Sequence, residues 1–487
     1  MSTATVFNVR RKLGNEFYWG RPSRTDLIPI TLLHEVFREF VHDLSNYQPN
    51  NLDFEFAATL KRKMMKTYSS ESKRCNWFRR VWEKYCSRLD PAGIKECTTD
   101  GHLEEGNSYL IITEGKREMD ANEADPLLQA AMYYVKVLRE QPRSATDTFP
   151  CLIIYYMGST IGFAGAVWSN IPQIVALTPI FTFHAELSTS EMALQVARAL
   201  GATKNALTRL RTHYGTTANA LNLDSLSSSP SDEGEEEEED LLKDPDVNHR
   251  PSSLKSRARV PLKSKGGASK VSLSSSLSFP SSLSKATEGP QAQPAPYLFP
   301  DICHFMDKNG ERIEFLYDRR LIPNKLLFLV TSSKGQLLVK FTTTYCVAAH
   351  DHCAQHGIAP TLYAVEHLKA GWLMVVMEYL DHNQYTCPSG KTPGAKQFVA
   401  NALKTLHNGG YVHGDFRDVN VFIREMDNEE FEVKILDYDW AGKYDEARYP
   451  NDVNFLDIYR PPGVDLGGVI FQRHDEEMLK HIFSVKR

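Results

Sequence analysis

A chain of 487 residues is longer than one hydrophobic core organises, and it predicts two or three domains. Its apolar and charged fractions, 42% and 24%, are those of an ordinary globular protein. A formal net charge of −5 gives no bulk electrostatic reason to bind nucleic acid or a membrane surface. The eight cysteines are scattered and include no C-x-x-C, which fits free thiols in a reducing compartment better than a disulfide scaffold or a zinc site. The start, MSTATVFNVRRKLGNEFYWG, lacks the apolar core of a secretory signal. The most apolar region, 150–183, is cut by Gly158-Ser159, Asn170 and Pro172, and reads as buried strands joined by turns, not as a membrane span. An intracellular protein, cytoplasmic or nuclear and without a membrane segment, is therefore expected. No internal repeat is found.

In chain order, the first informative stretch is 76-NWFRRVWEKYCSRL-89, predicted to be a helix. Then 94-IKECTTDGHL-103 reads as a strand turning near Asp100, and residues 109–113 as a compact apolar strand with Glu114-Gly-Lys116 at its end. The segment 126-PLLQAAMYYVKVL-138 has helical periodicity, with Pro126 suited to the first turn. An acidic-x-Lys triplet alone means little, because Glu71-Lys73 and Glu432-Lys434 share it as solvated pairs.

The order distinguishes Glu114: an aspartate on one strand, E-x-K on the next, then Gln129-x-x-x-Tyr133 on a helix. This resembles the PD-(D/E)XK nuclease superfamily, over about 80–190. The resemblance implies a restriction-endonuclease-like α/β domain acting on DNA. In it Asp100 and Glu114 would bind Mg2+, Lys116 would stabilise developing negative charge, and Gln129 and Tyr133 would lie on the accompanying helix. Glu83 could supply a further carboxylate. The bland alternative for Gln129 and Tyr133 is a helix face that packs on the sheet.

From 223 to 296 the chain is rich in Ser and Pro and nearly free of aromatic residues, with the acidic run 232-DEGEEEEED-240 followed by the basic stretch 250-RPSSLKSRARVPLKSKGGASK-270. Such a composition predicts a disordered linker between domains at 1–222 and 297–487. The basic stretch matches a nuclear-localisation or nucleic-acid patch, but a solvated linker of balanced charge explains it more simply.

Beyond the linker, 328-FLVTSSKGQLLVKFT-342 predicts a hairpin turning at Lys334-Gly335, with Lys340 among apolar residues on its second strand. A lysine there is costly to bury without an anionic partner. Next, 372-WLMVVMEYLD-381 is an apolar strand that turns polar abruptly. A helical pattern, 395–410, ends at a Gly pair. The loop 411-YVHGDFRDVNVFI-423 and the strand FEVKIL then bring Asp415, Asn420 and Asp437 towards one cleft. Phosphoryl transfer needs that set: a carboxylate to orient the attacking hydroxyl, and an amide with a second carboxylate to hold magnesium on the phosphates. Arg417 is placed to offset charge on the transferred group.

VKF, MEYL, HGDFRDVN and LDYD, in that order and spacing, resemble the protein-kinase-like superfamily over about 310–445. The resemblance implies that Lys340 and the hinge Met377, Glu378, Tyr379 and Leu380 bind ATP, that Asp415 is the catalytic base, and that Asn420 and Asp437 bind Mg2+. The phosphoacceptor would be a protein, a small molecule or the chain itself. There are departures. No G-x-G-x-x-G precedes the lysine strand. The helix after Lys340 offers only Asp351 where a glutamate is expected. Asp439 replaces the glycine of the magnesium loop, and only 50 residues follow Asp437. The short lobe, with 445-DEARYPNDVN-454 and RPPGV, is similar to a fungal kinase-like family attached to Crinkler-type effectors. The expected architecture is multidomain, α/β and α+β: a nuclease-like domain, a disordered linker and a two-lobed kinase-like domain with a shortened C-lobe. The expected activity is ATP-dependent phosphotransfer of Ser/Thr protein-kinase type. A non-catalytic nucleotide-binding module and a DNA nuclease regulated by the kinase-like domain are the alternatives.

Overall fold

The computed structural model describes residues 18, 26–91, 93–94, 97–105, 108–118, 125–140, 148–184, 190–221 and 298–484. The chain divides into a unit made of Met1–Leu221 with Gln293–Arg487 and a second unit, Asn222–Ala292. The expected linker at 223–296 lies outside the described residues.

After a single helical turn at Ile30–Leu33, the N-terminal half continues with helices α1 (Glu35–Asn46), α2 (Asn51–Met64) and α3 (Glu71–Tyr85). Asn50 and Asp53 form a reciprocal capping box on α2. Helix α3 starts five residues earlier than the apolar pattern predicts, because Ser70 accepts a hydrogen bond from the Lys73 amide and fixes the first turn. Strands β1 (Gly101–Glu105) and β2 (Ser108–Lys116) follow, then helix α4 (Pro126–Glu140), strands β3 (Cys151–Met157), β4 (Thr160–Trp168) and β5 (Pro172–Ala176), and helix α5 (Ser190–Leu221). The sheet order is β1-β2-β3-β4-β5, with Phe181–Thr182 paired to β4. Among the described strands of this sheet only β2 and β3 run parallel to each other, and α4 supplies the crossover that parallel neighbours require. Leu110 and Ile111 of β2 join one apolar cluster and Ile112 another, which is why this strand reads as a continuous apolar run. The apolar region 150–183 is thus strand, as its turn residues predict. Among the described residues no helix is long and apolar enough to cross a membrane. Among the described residues, Cys75, Cys86, Cys151, Cys303, Cys346 and Cys353 form no disulfide.

The C-terminal half begins with strands β6 (His304–Met306), β7 (Arg312–Arg320), β8 (Leu327–Ser332) and β9 (Gly335–Thr342). Helix α6 (Val347–Gln355) and strands β10 (Leu362–His367) and β11 (Leu373–Glu378) complete an antiparallel sheet of order β10-β11-β9-β8-β7-β6. The β8–β9 hairpin turns at Lys334-Gly335 as expected, with Gly335 at φ +89°. Side-chain alternation then decides the site. Leu337, Val339 and Phe341 of β9 face the large core, so Leu338 and Lys340 point the other way. On that other face Leu362, Val375 and Met377 form an apolar patch.

Below the sheet, α7 (Lys396–Asn408) packs Val399, Leu403 and Leu406 against the hairpin β12 (Val421–Glu425)–β13 (Phe431–Ile435) and against Met478 and Ile482 of α8 (Gln472–Ser484). The two halves of the chain are not separate bodies. Phe37, Phe40 and Phe163 share one apolar cluster with Phe305, Phe328 and Met374. Glu39 accepts from Lys369 at 2.7 and 2.8 Å, Arg38 pairs with Asp301 at 2.7 Å, and Trp372 donates its indole N–H to Thr31 at 3.0 Å.

Candidate functional site

Lys340 leaves β9 towards the loop after β13. Its ammonium donates to Asp437 Oδ1 at 2.5 Å and to Asp439 Oδ1 at 2.6 Å. Thr342 Oγ1 donates to Asp439 Oδ2 at 3.1 Å. Burial alone would push the Lys340 pKa down, but Asp437 and Asp439 outweigh it and hold it above the ordinary lysine value. Burial likewise opposes ionisation of Asp437, yet Lys340 and Lys325 keep that carboxyl well below the usual range. Asp439 shifts up, through burial and, despite Lys340, the neighbouring charge of Asp437. Asp437 has φ +66°, a left-handed backbone that a non-glycine residue adopts at a cost of about 1–3 kcal/mol.

The loop bearing Asp415 is fixed from beneath. Asp475 of α8, fully buried, accepts from the amides of His413 at 2.8 Å and Gly414 at 2.9 Å and pairs with His407 at 3.1 Å. Gly414 sits at φ +80°, and a Cβ there would meet Ile470, which accounts physically for glycine between His413 and Asp415. Asn420 Nδ2 donates to the Asp415 carbonyl and to its Oδ2, both at 2.9 Å. Two bonds then join this loop to the residue before Asp437: the Leu436 amide donates to Asn420 O at 2.8 Å, and His413 Nε2 donates to Leu436 O at 2.9 Å. Asp415 also meets two guanidinium groups. Arg417 donates to Oδ2 at 3.0 Å, and Arg460, nearly inaccessible to solvent, donates to Oδ1 at 2.6 Å. Arg460 lies over the Trp440 ring at 4.8 Å.

Among the expected hinge residues, Met377 and Leu380 are buried and Tyr379 follows the end of β11. Glu378 is tied to Thr361, its amide to the Thr361 carbonyl and its carboxylate to the Thr361 amide, each at 2.9 Å.

Two departures from the kinase-like pattern resolve in space. The loop between β7 and β8, where a glycine-rich turn is missing, carries Lys325, whose ammonium reaches Asp437 Oδ2 at 3.2 Å. Asp351 does not substitute for the absent helix glutamate; it pairs with Lys308 at 3.4 Å, and Asp439 holds Lys340 instead. Helix α6 meets the loop differently, by His350 stacking on Tyr438 with ring centres 4.7 Å apart. Burial lowers the His350 pKa to about 4.

In the N-terminal half, Asp100, Glu114 and Lys116 come together at the ends of β1 and β2. The Asp100 amide donates to Glu114 Oε1 at 3.2 Å, and the Gly115 amide to Asp100 Oδ2 at 2.9 Å. Glu114 is fully buried, and its Oε2 has no hydrogen-bond partner. Burial first, then the charge of Asp100, push its pKa well above the carboxylate range. Lys116 donates to Glu71 at 2.9 Å, and Glu71 keeps its pKa raised against the effect of burial. The carboxylate beside Lys116 is Glu71, at the start of α3, whereas Glu83 on the same helix is exposed. Gly115 lies against the Tyr156 ring, which occupies the space any Cβ would need. Gln129 Nε2 donates to Tyr133 OH at 2.8 Å, while Gln129 Oε1 is buried without a partner. Among the described residues no group of three or more His, Cys, Asp or Glu stands ready to hold a metal ion.

Lys325, Asp439, Asp475, Arg460 and Glu71 thus escape a reading of the sequence. Only Asp439 left a signal, as an acidic residue at a glycine position.

Among solved structures, the chain is similar to vaccinia related kinase 3, at 14% identity and a TM-score of 0.29, over 37% of this chain and 66% of that one. It is similar to the Cydia pomonella granulovirus kinase PK-1, at 14% identity and a TM-score of 0.26, over 33% and 64%. A third neighbour is the BubR1 kinase domain, at 13% identity and a TM-score of 0.28, over 37% and 63%. Less than two thirds of each of these kinase chains is spanned. No family model matches the sequence, and no curated protein matches it.

Proposed function

We propose that the C-terminal half is an ATP-dependent phosphotransferase that moves the γ-phosphoryl group to a hydroxyl, of the protein-kinase type. The observation that carries this reading is the meeting of Lys340 and Lys325 on Asp437, beside the loop that holds Asp415 and Asn420. Two ammonium groups on one ionised carboxylate form a cation site suited to phosphates, and the patch of Leu362, Val375 and Met377 offers an apolar seat for an adenine near the Met377–Leu380 segment. Asp437 and Asn420 present hard oxygen donors of the kind Mg2+ takes, and the metal would neutralise charge on the β- and γ-phosphates. Asp415 orients the hydroxyl, which takes the place of one guanidinium at its carboxylate. Arg417 or Arg460, so released, faces the transferred group.

The test is thermal unfolding of the whole chain with and without magnesium-ATP, because the shared core would leave either half with an exposed apolar face. ATP should raise Tm, Lys340→Ala should remove the rise, and Asp415→Asn should keep the rise while abolishing phosphotransfer. Absence of any rise at millimolar ATP would sink both this reading and a nucleotide-sensor role.

A second reading rests on a different observation, the buried Glu114 oxygen without a partner beside Asp100. We infer a metal-dependent nuclease-type centre there. Asp100 and Glu114 would hold Mg2+, which polarises a phosphodiester, and Lys116 would stabilise the charge that develops, with DNA as substrate. Cutting that requires magnesium or manganese and disappears in Lys116→Ala supports this reading. Cutting unchanged in that variant removes Lys116 from the mechanism.

A further inference from the structure

Asp415 sits between two guanidinium groups that are held unequally. The Arg417 side chain is 22% exposed and comes from the same loop, two residues on. The Arg460 side chain is 3% exposed and comes from residues 445–470, which form no helix or strand apart from one bridge between Arg448 and Val469. Apolar side chains fix this stretch instead. Tyr449, Val453, Val464 and Ile470 cluster with Val412, the residue before His413. Val453 and Val464 thus anchor the chain on either side of Arg460, and the buried Pro461 restricts the backbone immediately after it. Trp440 packs on the same cluster and presents its ring to the guanidinium. The Arg460 Nε is buried and meets no acceptor among the described residues, so Asp415 is the carboxylate that balances this charge.

Trp440 follows Asp439, the partner of Lys340, so one guanidinium bridges the loop after β13 to the loop of Asp415. Asp415 is then supported on three sides. Asp475 holds the amides of His413 and Gly414, Asn420 holds Oδ2, and Arg460 holds Oδ1. Of the side chains on this carboxylate, Arg417 is the most exposed and the one an incoming hydroxyl can displace. Moving Arg460 instead would leave a charge inside the fold without its partner, which is the costlier change.

We propose that Arg460 is a positioning residue for phosphoryl transfer: it locks Asp415 Oδ1, so that Oδ2 meets the acceptor hydroxyl when Arg417 gives way. This rests on the phosphotransferase reading above. In the step, the acceptor oxygen bonds Pγ, its proton passes to Asp415 Oδ2, and ADP leaves with the electron pair of the bond that breaks. Arg417, released, turns to the transferred group, while Arg460 keeps the carboxylate from following it.

The experiment measures steady-state ADP release by the full-length protein from magnesium-ATP, with water as acceptor, and the ATP-dependent rise in Tm on the same samples. Arg460→Met keeps a side chain against Trp440 and removes the charge. It should lower kcat by about a hundred-fold, the scale of a misplaced catalytic group, with KM for ATP and the rise in Tm unchanged. Arg460→Lys should recover about ten-fold of that loss, and it carries the same test if Arg460→Met does not fold. Adding Arg460→Met to Asp415→Asn should cost nothing more, because Arg460 acts only through Asp415. An unchanged kcat in Arg460→Met overturns the inference and leaves the phosphotransferase reading standing. So does an additive loss in the double variant, or a loss of the ATP-dependent rise along with kcat, since either gives Arg460 a role apart from Asp415. A parent protein that releases no ADP ends the phosphotransferase reading itself, and this inference with it.

Discussion

Lys340 and Asp439 form an ion pair of 2.6 Å, in which the acidic partner comes from the loop after β13 and not from helix α6. The same ammonium holds Asp437 at 2.5 Å. One lysine thus binds both acidic residues of the loop, and the conformation of that loop is set by the sheet above it. The helix that follows Lys340 contributes an aromatic stack, His350 on Tyr438, in place of a charge.

Asp439→Asn is expected to lower stability by about 1–3 kcal/mol, since a buried ammonium loses one of two carboxylates. Asp351→Asn removes only an exposed pair with Lys308 and should stay within about 0.5 kcal/mol of the parent. Urea unfolding of both variants measures the difference. Equal values would mean that Asp439 does not carry the lysine.

Lys325 lies in the loop between β7 and β8, and its ammonium is 3.2 Å from Asp437. Lys325→Ala should weaken magnesium-ATP binding by about ten-fold, the scale of one charge-assisted contact to phosphate. Calorimetric titration of the full-length protein reads it. An unchanged Kd would make Lys325 a surface lysine that rests on Asp437 only when the nucleotide is absent.

Glu114 should make the protein less stable as pH rises. Its folded pKa lies well above that of an unfolded glutamate, through burial and the nearby Asp100. Above the unfolded value, near 4.5, the unfolded chain releases this proton and the folded chain keeps it, so stability falls until pH reaches the folded value. Glu114→Gln should remove that fall and raise Tm at pH 7.5 relative to the parent when no divalent ion is present. Added Mg2+ or Mn2+ should narrow the gap by stabilising only the parent. A variant less stable than the parent at every pH would show that the carboxylate is ionised and paired.

His350 gives a slope of the opposite sign. Its folded pKa, lowered to about 4, lies below the ordinary histidine value of 6.5. Between the two, the unfolded chain takes up a proton that the folded chain refuses, and stability is lost as pH falls. The full effect is on the order of 3 kcal/mol at pH 4. Comparing stability curves of the parent and His350→Gln from pH 7.5 to 4.5 isolates it. Parallel curves would mean that His350 titrates normally against Tyr438 and Tyr345.

The sequence by itself determined the elements and the local order of chemistry. Apolar alternation placed Lys340 on the inner strand of a hairpin, the Gly409-Gly410 pair ended α7, and Pro126 opened α4. These are short-range effects, written in side-chain periodicity and in the backbone preferences of glycine and proline. What only tertiary structure decided is which distant charge completes each site. Glu71 rather than Glu83 meets Lys116, because α3 lays its first turn, not its last, against the end of β2. Asp439 rather than Asp351 meets Lys340, because α6 turns Asp351 towards Lys308 at the surface. Asp475 anchors His413 and Gly414 from 62 and 61 residues away, and nothing in its acidic helix start distinguishes it from a solvated carboxylate. An ion pair across a fold depends on where two elements cross, and a side chain's own neighbours in sequence carry no record of that crossing.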